Sequence, residues 1–231
     1  MKNVAFVPVR SGSTRLKLKA LSKVQNETLL SIAIRKAIKS NIFEKVVCIG
    51  DRKEFKEIAL ENGVEYYDRD PVNASSNAKS DEVVLEAIEK INSKNIFWIN
   101  IINPFTQIST IQKAFHILNQ HDGKFDSVFT SHEWLGHASY SETLNQPINF
   151  QLENSFSQTQ FMKKIVLLTY GIMAWDTESF LSRYQISGAG MLNGKPQTIN
   201  VSRLESICIK YKEDLDIVNK IVSNKNIWDF I

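Results

Sequence analysis

The sequence predicts an α/β protein built on a mainly parallel, mixed sheet, and three observations carry that expectation. Short apolar runs alternate with segments of helical periodicity from residue 4 to about residue 130, the pattern of repeated βαβ units. The runs are continuously apolar, as Val4–Val9 shows, which suits strands covered by helices on both faces. The length of 231 residues matches a single α/β domain with a large core, so residues 1–231 are read as one unit.

In chain order, strands are expected over Val4–Val9, Lys45–Ile49, Val64–Tyr67, Ile96–Ile102 and Ser127–Thr130. Helices are expected over Thr28–Lys39, Lys53–Glu61, Asp81–Ile91 and Thr110–Leu118. In the first of these, Leu29, Leu30, Ile32, Ala33, Ile34, Ala37 and Ile38 recur every three or four residues, giving one buried face with Arg35, Lys36 and Lys39 outside it. Residues 131–164 break the rhythm. Trp134, Leu135, Tyr140, Ile148, Phe150, Phe156 and Phe161 lie scattered there among polar residues, which reads as an excursion from the layers. Beyond it a buried strand is expected over Ile165–Trp175, a helix over Thr177–Tyr184, strands over Gln197–Val201 and Ser206–Tyr211, and a helix over Glu213–Ser223.

Composition narrows the function. A net charge of +3 is too small to argue for a nucleic-acid partner. No stretch is apolar enough to span a membrane, and the N-terminal run is interrupted at Arg10 before it could serve as a secretory signal. Cys48 and Cys208 lie far apart without CxxC spacing, as expected of reduced thiols in strands of a cytoplasmic protein.

The chemistry is expected in Arg10-Ser-Gly-Ser-Thr-Arg-Leu-Lys-Leu-Lys19, where four cations are interleaved with Ser11, Gly12, Ser13 and Thr14. Flexible backbone N–H groups and hydroxyls beside positive charge are what a polyphosphate needs. The spacing is neither that of a P-loop nor that of a dinucleotide fingerprint. Composition alone leaves a solvated basic turn as the other reading. In open sheets ligands gather beyond the carboxyl ends of the strands, and Arg10, Asp51 and Asn103 all fall at such ends.

Arg10-x-Gly12-Ser13-x-Arg15-Leu16-x-x-Lys19, placed directly after a first strand, resembles the signature loop of the acylneuraminate cytidylyltransferases. Lys45–Asp51, Arg69–Ala74 with Ser80–Val84, and Pro104-Phe105 resemble further motifs of that family. The resemblance covers residues 1 to about 130 and is traceable over about 155–225. It implies a Rossmann-like nucleotidyltransferase fold, transfer of CMP from CTP to a sugar acid for surface polysaccharide, a Mg²⁺ cofactor, and a homodimer in which the excursion at 131–164 reaches the partner subunit.

Residue by residue, the resemblance makes Arg10 and Lys19 catalytic, holding the triphosphate with Gly12, Ser13 and Arg15. Arg69 and Ser80 would contact base and ribose, and Asn100 would lie near the nucleotide. Arg69 reads equally as a surface loop residue, and Ser80 as the N-cap of the helix that follows.

Departures from the family pattern mark where this chain differs, Asn100 in place of a Gln being a conservative one. Ala20 stands where an Asn reads cytosine, Lys17 replaces a Pro, and Thr106 replaces an Arg. Cys208 and Lys210 occupy the positions of the paired aspartates that hold Mg²⁺. Asp214 and Asp216 follow closely, but they open a helical pattern where carboxylates are favoured by the dipole alone. The spacing of His116, His121, His132 and His137 forms no metal-ligand pattern; surface or interface roles are expected for all four. The departures leave two rival readings, a relative with a changed base, acceptor or metal arrangement and a noncatalytic nucleotide-binding or partner-binding protein. A nucleotide-sugar glycosyltransferase would need an Asp-x-Asp mid-chain, and none occurs between residues 90 and 130.

Overall fold

The computed structural model describes residues 2–120, 123–154 and 158–231. Strand β1 (Asn3–Pro8) is buried along its whole length and forms the spine of the sheet. A small hairpin of β2 (Lys23–Val24) and β3 (Glu27–Thr28) leads into α1 (Leu29–Lys39). There follow β4 (Lys45–Gly50), α2 (Lys53–Glu61), β5 (Glu65–Asp68), α3 (Pro71–Ala74), α4 (Ser80–Lys90), β6 (Asn95–Ile99), α5 (Ile108–Gln120) and β7 (Ser127–Trp134). A second hairpin, β8 (Ser139–Tyr140) and β9 (Thr143–Pro147), precedes β10 (Ile165–Asp176), α6 (Thr177–Ser187), β11 (Pro196–Asn200) and α7 (Lys212–Ile221).

The seven-stranded sheet runs in the order β11-β7-β10-β6-β1-β4-β5. Strand β10 is antiparallel to both β6 and β7, and the other neighbours are parallel. The mixed, mainly parallel sheet expected from the alternation is therefore present. Alternate residues of β1 feed opposite faces: Ala5 and Val7 join the core beneath α1, α2, α5 and α7, while Val4 and Phe6 join the one beneath α4 and α6. Helix α1 starts where its chemistry dictates, with the Thr28 hydroxyl accepting a hydrogen bond from the Ser31 amide at 3.1 Å.

Four sequence expectations are corrected. Ser206–Tyr211 is not a strand, and Cys208 is therefore not a strand residue. Its Ile207-Cys208-Ile209 alternation follows from packing: Ile207 and Ile209 join the core cluster while turn bonds upstream, Ser206 N–H to Ser202 O and Ile207 N–H to Leu204 O, keep the segment out of any ladder. Lys36, placed outside by the periodicity, is completely buried. Ser80 is the first residue of α4 and not its cap, since Lys79 holds the N-cap position and its amide is received by Glu82 Oε2 at 2.8 Å. The excursion starts later than expected, because residues 131–134 extend β7 and pair with β10. Phe156 and His121 lie outside the described residues. Among the described residues no helix is long and apolar enough to cross a membrane.

Candidate active site

The carboxyl ends of β1, β5 and β6 open into a cavity of about 320 Å³. Its first wall is the loop after β1. The Asp51 carboxylate, just past β4, receives the Ser11 amide at 2.8 Å and the Ser11 hydroxyl at 2.7 Å, which anchors the loop as it leaves the sheet. At the other end Leu18 adopts a left-handed conformation with φ 48°, uncommon for a bulky residue, and the turn delivers Lys19 inward. Arg10, Ser13, Thr14, Arg15 and Lys19 line the cavity. Gly12 does not: it lies against Ala74, where an added Cβ would meet the carbonyl oxygen at an ordinary 3.5 Å.

Arg69 enters from the end of β5. Its amide donates to Gly50 O at 2.7 Å and its guanidinium to Val9 O at 3.1 Å, while Nε is buried without a partner. Ser80 opens α4 on the same wall, where helical N–H groups favour an anion. Asn100 and Trp98 come from the end of β6. The indole N–H of Trp98 is also buried and unpartnered. Trp98 was not singled out from the sequence, where it reads as one more apolar residue of a strand; only its position at the strand's carboxyl end hints at a site.

The remaining wall is the irregular segment carrying Lys210. Asn103, fully buried after β6, donates from Nδ2 to Ile207 O at 3.3 Å and to Cys208 Sγ at 3.0 Å. The Cys208 thiol donates onward to Thr169 O at 3.1 Å, in the bulged stretch of β10. Beneath this, the buried Lys36 donates to Asn103 O at 2.7 Å. Asp214 accepts the amides of Lys210 and Tyr211 at 2.7 and 2.8 Å and so caps α7, as its place in the sequence foretold. Asp216 pairs with Lys212. Lys19 Nζ donates to Ile209 O at 2.9 Å, joining the two walls.

Five cations, Arg10, Arg15, Lys19, Arg69 and Lys210, thus converge on one cavity. None of them forms a salt bridge among the described residues. Arg10 donates to Ser75 O, and Arg15 rests 5.7 Å from the Tyr211 ring centre. Burial pushes the Lys19 ammonium below the ordinary lysine range, and neighbouring Arg15 and Lys210 push it the same way. Burial likewise lowers Arg69. Such a site holds unneutralised positive charge that an anion would stabilise.

The residues do not fit a protein-held Mg²⁺. The cavity lining contains no carboxylate, and no group of three or more His, Cys, Asp or Glu that could hold a metal occurs among the described residues. Burial raises the Cys208 thiol, which is held in its protonated form between Asn103 and Thr169. His132 Nδ1 lies against Val201 O, and His116 and His137 form no metal cluster. Ala20, 1 % exposed, packs in the core and does not line the cavity.

A Rossmann-like α/β domain with a polycationic pocket beyond its parallel strands is the architecture of a nucleotidyltransferase. The sequence model described as cytidylyltransferase matches residues 4–186, and the chain belongs to that family, as its resemblance to the acylneuraminate cytidylyltransferases implied. It is 29% identical over 171 residues to the pseudaminic acid cytidylyltransferase of Campylobacter jejuni, covering 71% of this chain and 74% of that one. It is 26% identical over 148 residues to an N-acylneuraminate cytidylyltransferase of Streptococcus agalactiae, covering 63% of this chain and 35% of the relative. The solved structure of a CMP:2-keto-3-deoxy-manno-octonic acid synthetase complexed with CTP superposes with a TM-score of 0.69 at 11% identity, covering 96% of this chain and 99% of that one. At that identity the likeness speaks for the fold.

Proposed function

We propose that the enzyme transfers CMP from CTP to a nine-carbon or eight-carbon sugar acid. The observation that carries this reading is the convergence of five cations, without salt-bridge partners among the described residues, on a single cavity at the carboxyl ends of β1, β5 and β6. The triphosphate lies against Arg10, Arg15, Lys19 and Lys210, while base and ribose lie toward Arg69, Ser80 and Trp98; Asn100 faces the nucleotide. A hydroxyl of the sugar acid attacks the α-phosphorus in line, a new O–P bond forms as the bond to pyrophosphate breaks, and the hydroxyl proton is released. Arg10 and Lys19 stabilise the charge that gathers on the phosphates in the transition state. The names of the curated relatives support a sialic-acid-like acceptor, and a product of that kind would serve surface polysaccharide synthesis. The cytoplasm is the compartment proposed for it.

Incubation with CTP and a panel of sugar acids, followed by mass spectrometry of the nucleotide sugar and assay of pyrophosphate, tests this reading. A CMP-linked product is expected. Absence of CTP binding at millimolar concentration would overturn it.

We further propose a homodimer formed through residues 135–164. Leu135, Tyr140, Ile148, Leu152 and Phe161 are exposed there, a dense apolar surface for a lone chain. Light scattering at tens of micromolar is expected to give twice the monomer mass, and a monomer would end the proposal.

A further inference from the structure

The cavity raises a question that the proposed reaction leaves open, namely which form of the triphosphate it is built to receive. Nucleoside triphosphates travel in solution largely as magnesium complexes, and sites that use the complex ordinarily offer a carboxylate to complete the ion's octahedral shell. Here the cavity lining contains no carboxylate, and four acids around it are committed elsewhere. Asp51 is bound to Ser11, Glu82 to the Lys79 amide, Asp81 to the amides of Gly190 and Met191, and Asp214 to the amides of Lys210 and Tyr211. Each of these bonds holds up the wall of the site or caps a helix beside it.

In place of an acid, the segment presents Lys210. Its side chain is exposed to the cavity, while its backbone is fixed on both sides, by Asp214 at its own amide and by Ile209 N–H to Ile102 O at 2.8 Å. The carbonyl of that same Ile209 receives Lys19 Nζ at 2.9 Å, so one peptide unit brings two ammonium groups to one end of the cavity. A magnesium ion would add positive charge to a wall that already carries unpaired positive charge, and it would strip two negative charges from the ligand that these cations attract.

We infer that the cavity binds the nucleoside triphosphate in its metal-free form, with Lys210 supplying the charge that a protein-held divalent cation supplies in other nucleotidyltransferases. The inference rests on the reading that CTP occupies this cavity. Lys210 is then a substrate-binding residue, and the free tetra-anionic ligand gains more from the five cations than its magnesium complex does.

Calorimetric titration of CTP, and separately of inorganic triphosphate, into the full chain in excess EDTA and in excess MgCl₂ tests it. The wild type is expected to bind CTP at least as tightly in EDTA as in magnesium. Because Lys210 is exposed, Lys210→Met should fold normally, which its melting temperature will verify. The variant is expected to lose roughly tenfold or more in EDTA, the scale of a charged hydrogen bond, and much less in magnesium, while Lys210→Arg keeps the wild-type pattern. Binding by the wild type only in magnesium would overturn the inference and leave the CTP reading standing. An equal loss by Lys210→Met under both conditions would also overturn it, since Lys210 would then be a general phosphate contact. Binding in neither condition would overturn both.

Discussion

The loop of residues 10–19 and the segment of residues 206–211 both reach the cavity and carry the same kind of charge, yet they are held by different means. The loop is fixed at its two ends, by Asp51 at Ser11 and by the left-handed turn at Leu18. Between those points Leu16 packs against the core while Gly12, Thr14, Arg15 and Lys17 are exposed. The segment is fixed from beneath, through Asn103, the Cys208 thiol and the bulge of β10, with Asp214 closing its far end. A wall held at its ends can adjust to a ligand, whereas a wall held along its length keeps its shape. Lys19, donating to Ile209 O, is where the adjustable wall is tied to the fixed one.

That tie is the place to break the comparison with the largest effect. Lys19→Met removes a phosphate partner and leaves Ile209 O without its donor. Its loss of CTP affinity is expected to exceed that of Arg10→Ala, for which a single charged hydrogen bond sets a scale of about 1.5 to 3 kcal/mol. Calorimetry on the two variants decides; near-wild-type affinity in Lys19→Met would mean that the walls are not coupled through this residue. The depressed Lys19 pKa adds a signature. Anion binding needs the charged form, so wild-type affinity should decline with rising pH before an ordinary lysine would titrate, and Lys19→Arg should move the decline to higher pH.

A smaller effect should separate the two modes of support. Asp51→Ala frees the exposed loop at one end and is expected to weaken CTP binding by about 1 to 3 kcal/mol with little change in melting temperature. Asn103→Leu strikes the fully buried support of the opposite wall and should lower the melting temperature more than it alters affinity in the molecules that remain folded. Equal thermal losses in both variants would erase the distinction.

The smallest effect on affinity is expected at Lys36, which props the fixed wall through Asn103 O and which burial pushes down to about 7. Between that value and the ordinary 10.5 of the unfolded chain, the unfolded state binds a proton that the folded state lacks. Stability from this residue therefore rises with pH across that window and is at its lowest below about 7. Chemical denaturation as a function of pH should show a shallower rise in Lys36→Met than in the wild type, and parallel profiles would refute the assignment.

The difference between the two walls also explains what could be read in advance. Helix α2 spans Lys53–Glu61, as its periodicity implied, and Arg10, Ser13, Arg15, Lys19, Arg69, Ser80 and Asn100 all line the cavity. The loop residues after β1 are positioned by that strand, so local pattern was enough to place them, whereas Arg69, Ser80 and Asn100 were expected there through resemblance to the family. Gly12 shares the motif but lies against Ala74, because a motif gives residue types without giving the path of the backbone. The segment at 206–211 reads as a strand because Ile207, Cys208 and Ile209 form an apolar run, and such a run reports which residues are buried without reporting whether a ladder partner exists. Lys36 was misplaced for a related reason: periodicity assigns lysine to solvent, and only the two carbonyls of the turn after β6 make its burial tolerable.

The sequence by itself determined the layered α/β architecture and the cationic loop, since helix and strand periods and the residues at a strand's end depend on neighbours a few positions away. Tertiary structure alone decided that Trp98 and Lys210 share a cavity with that loop, that Asp51 is spent on Ser11, and that Ala20 lies in the core. Each of those outcomes depends on partners from separate strands and helices, and the distances that settle them are fixed only when the sheet assembles.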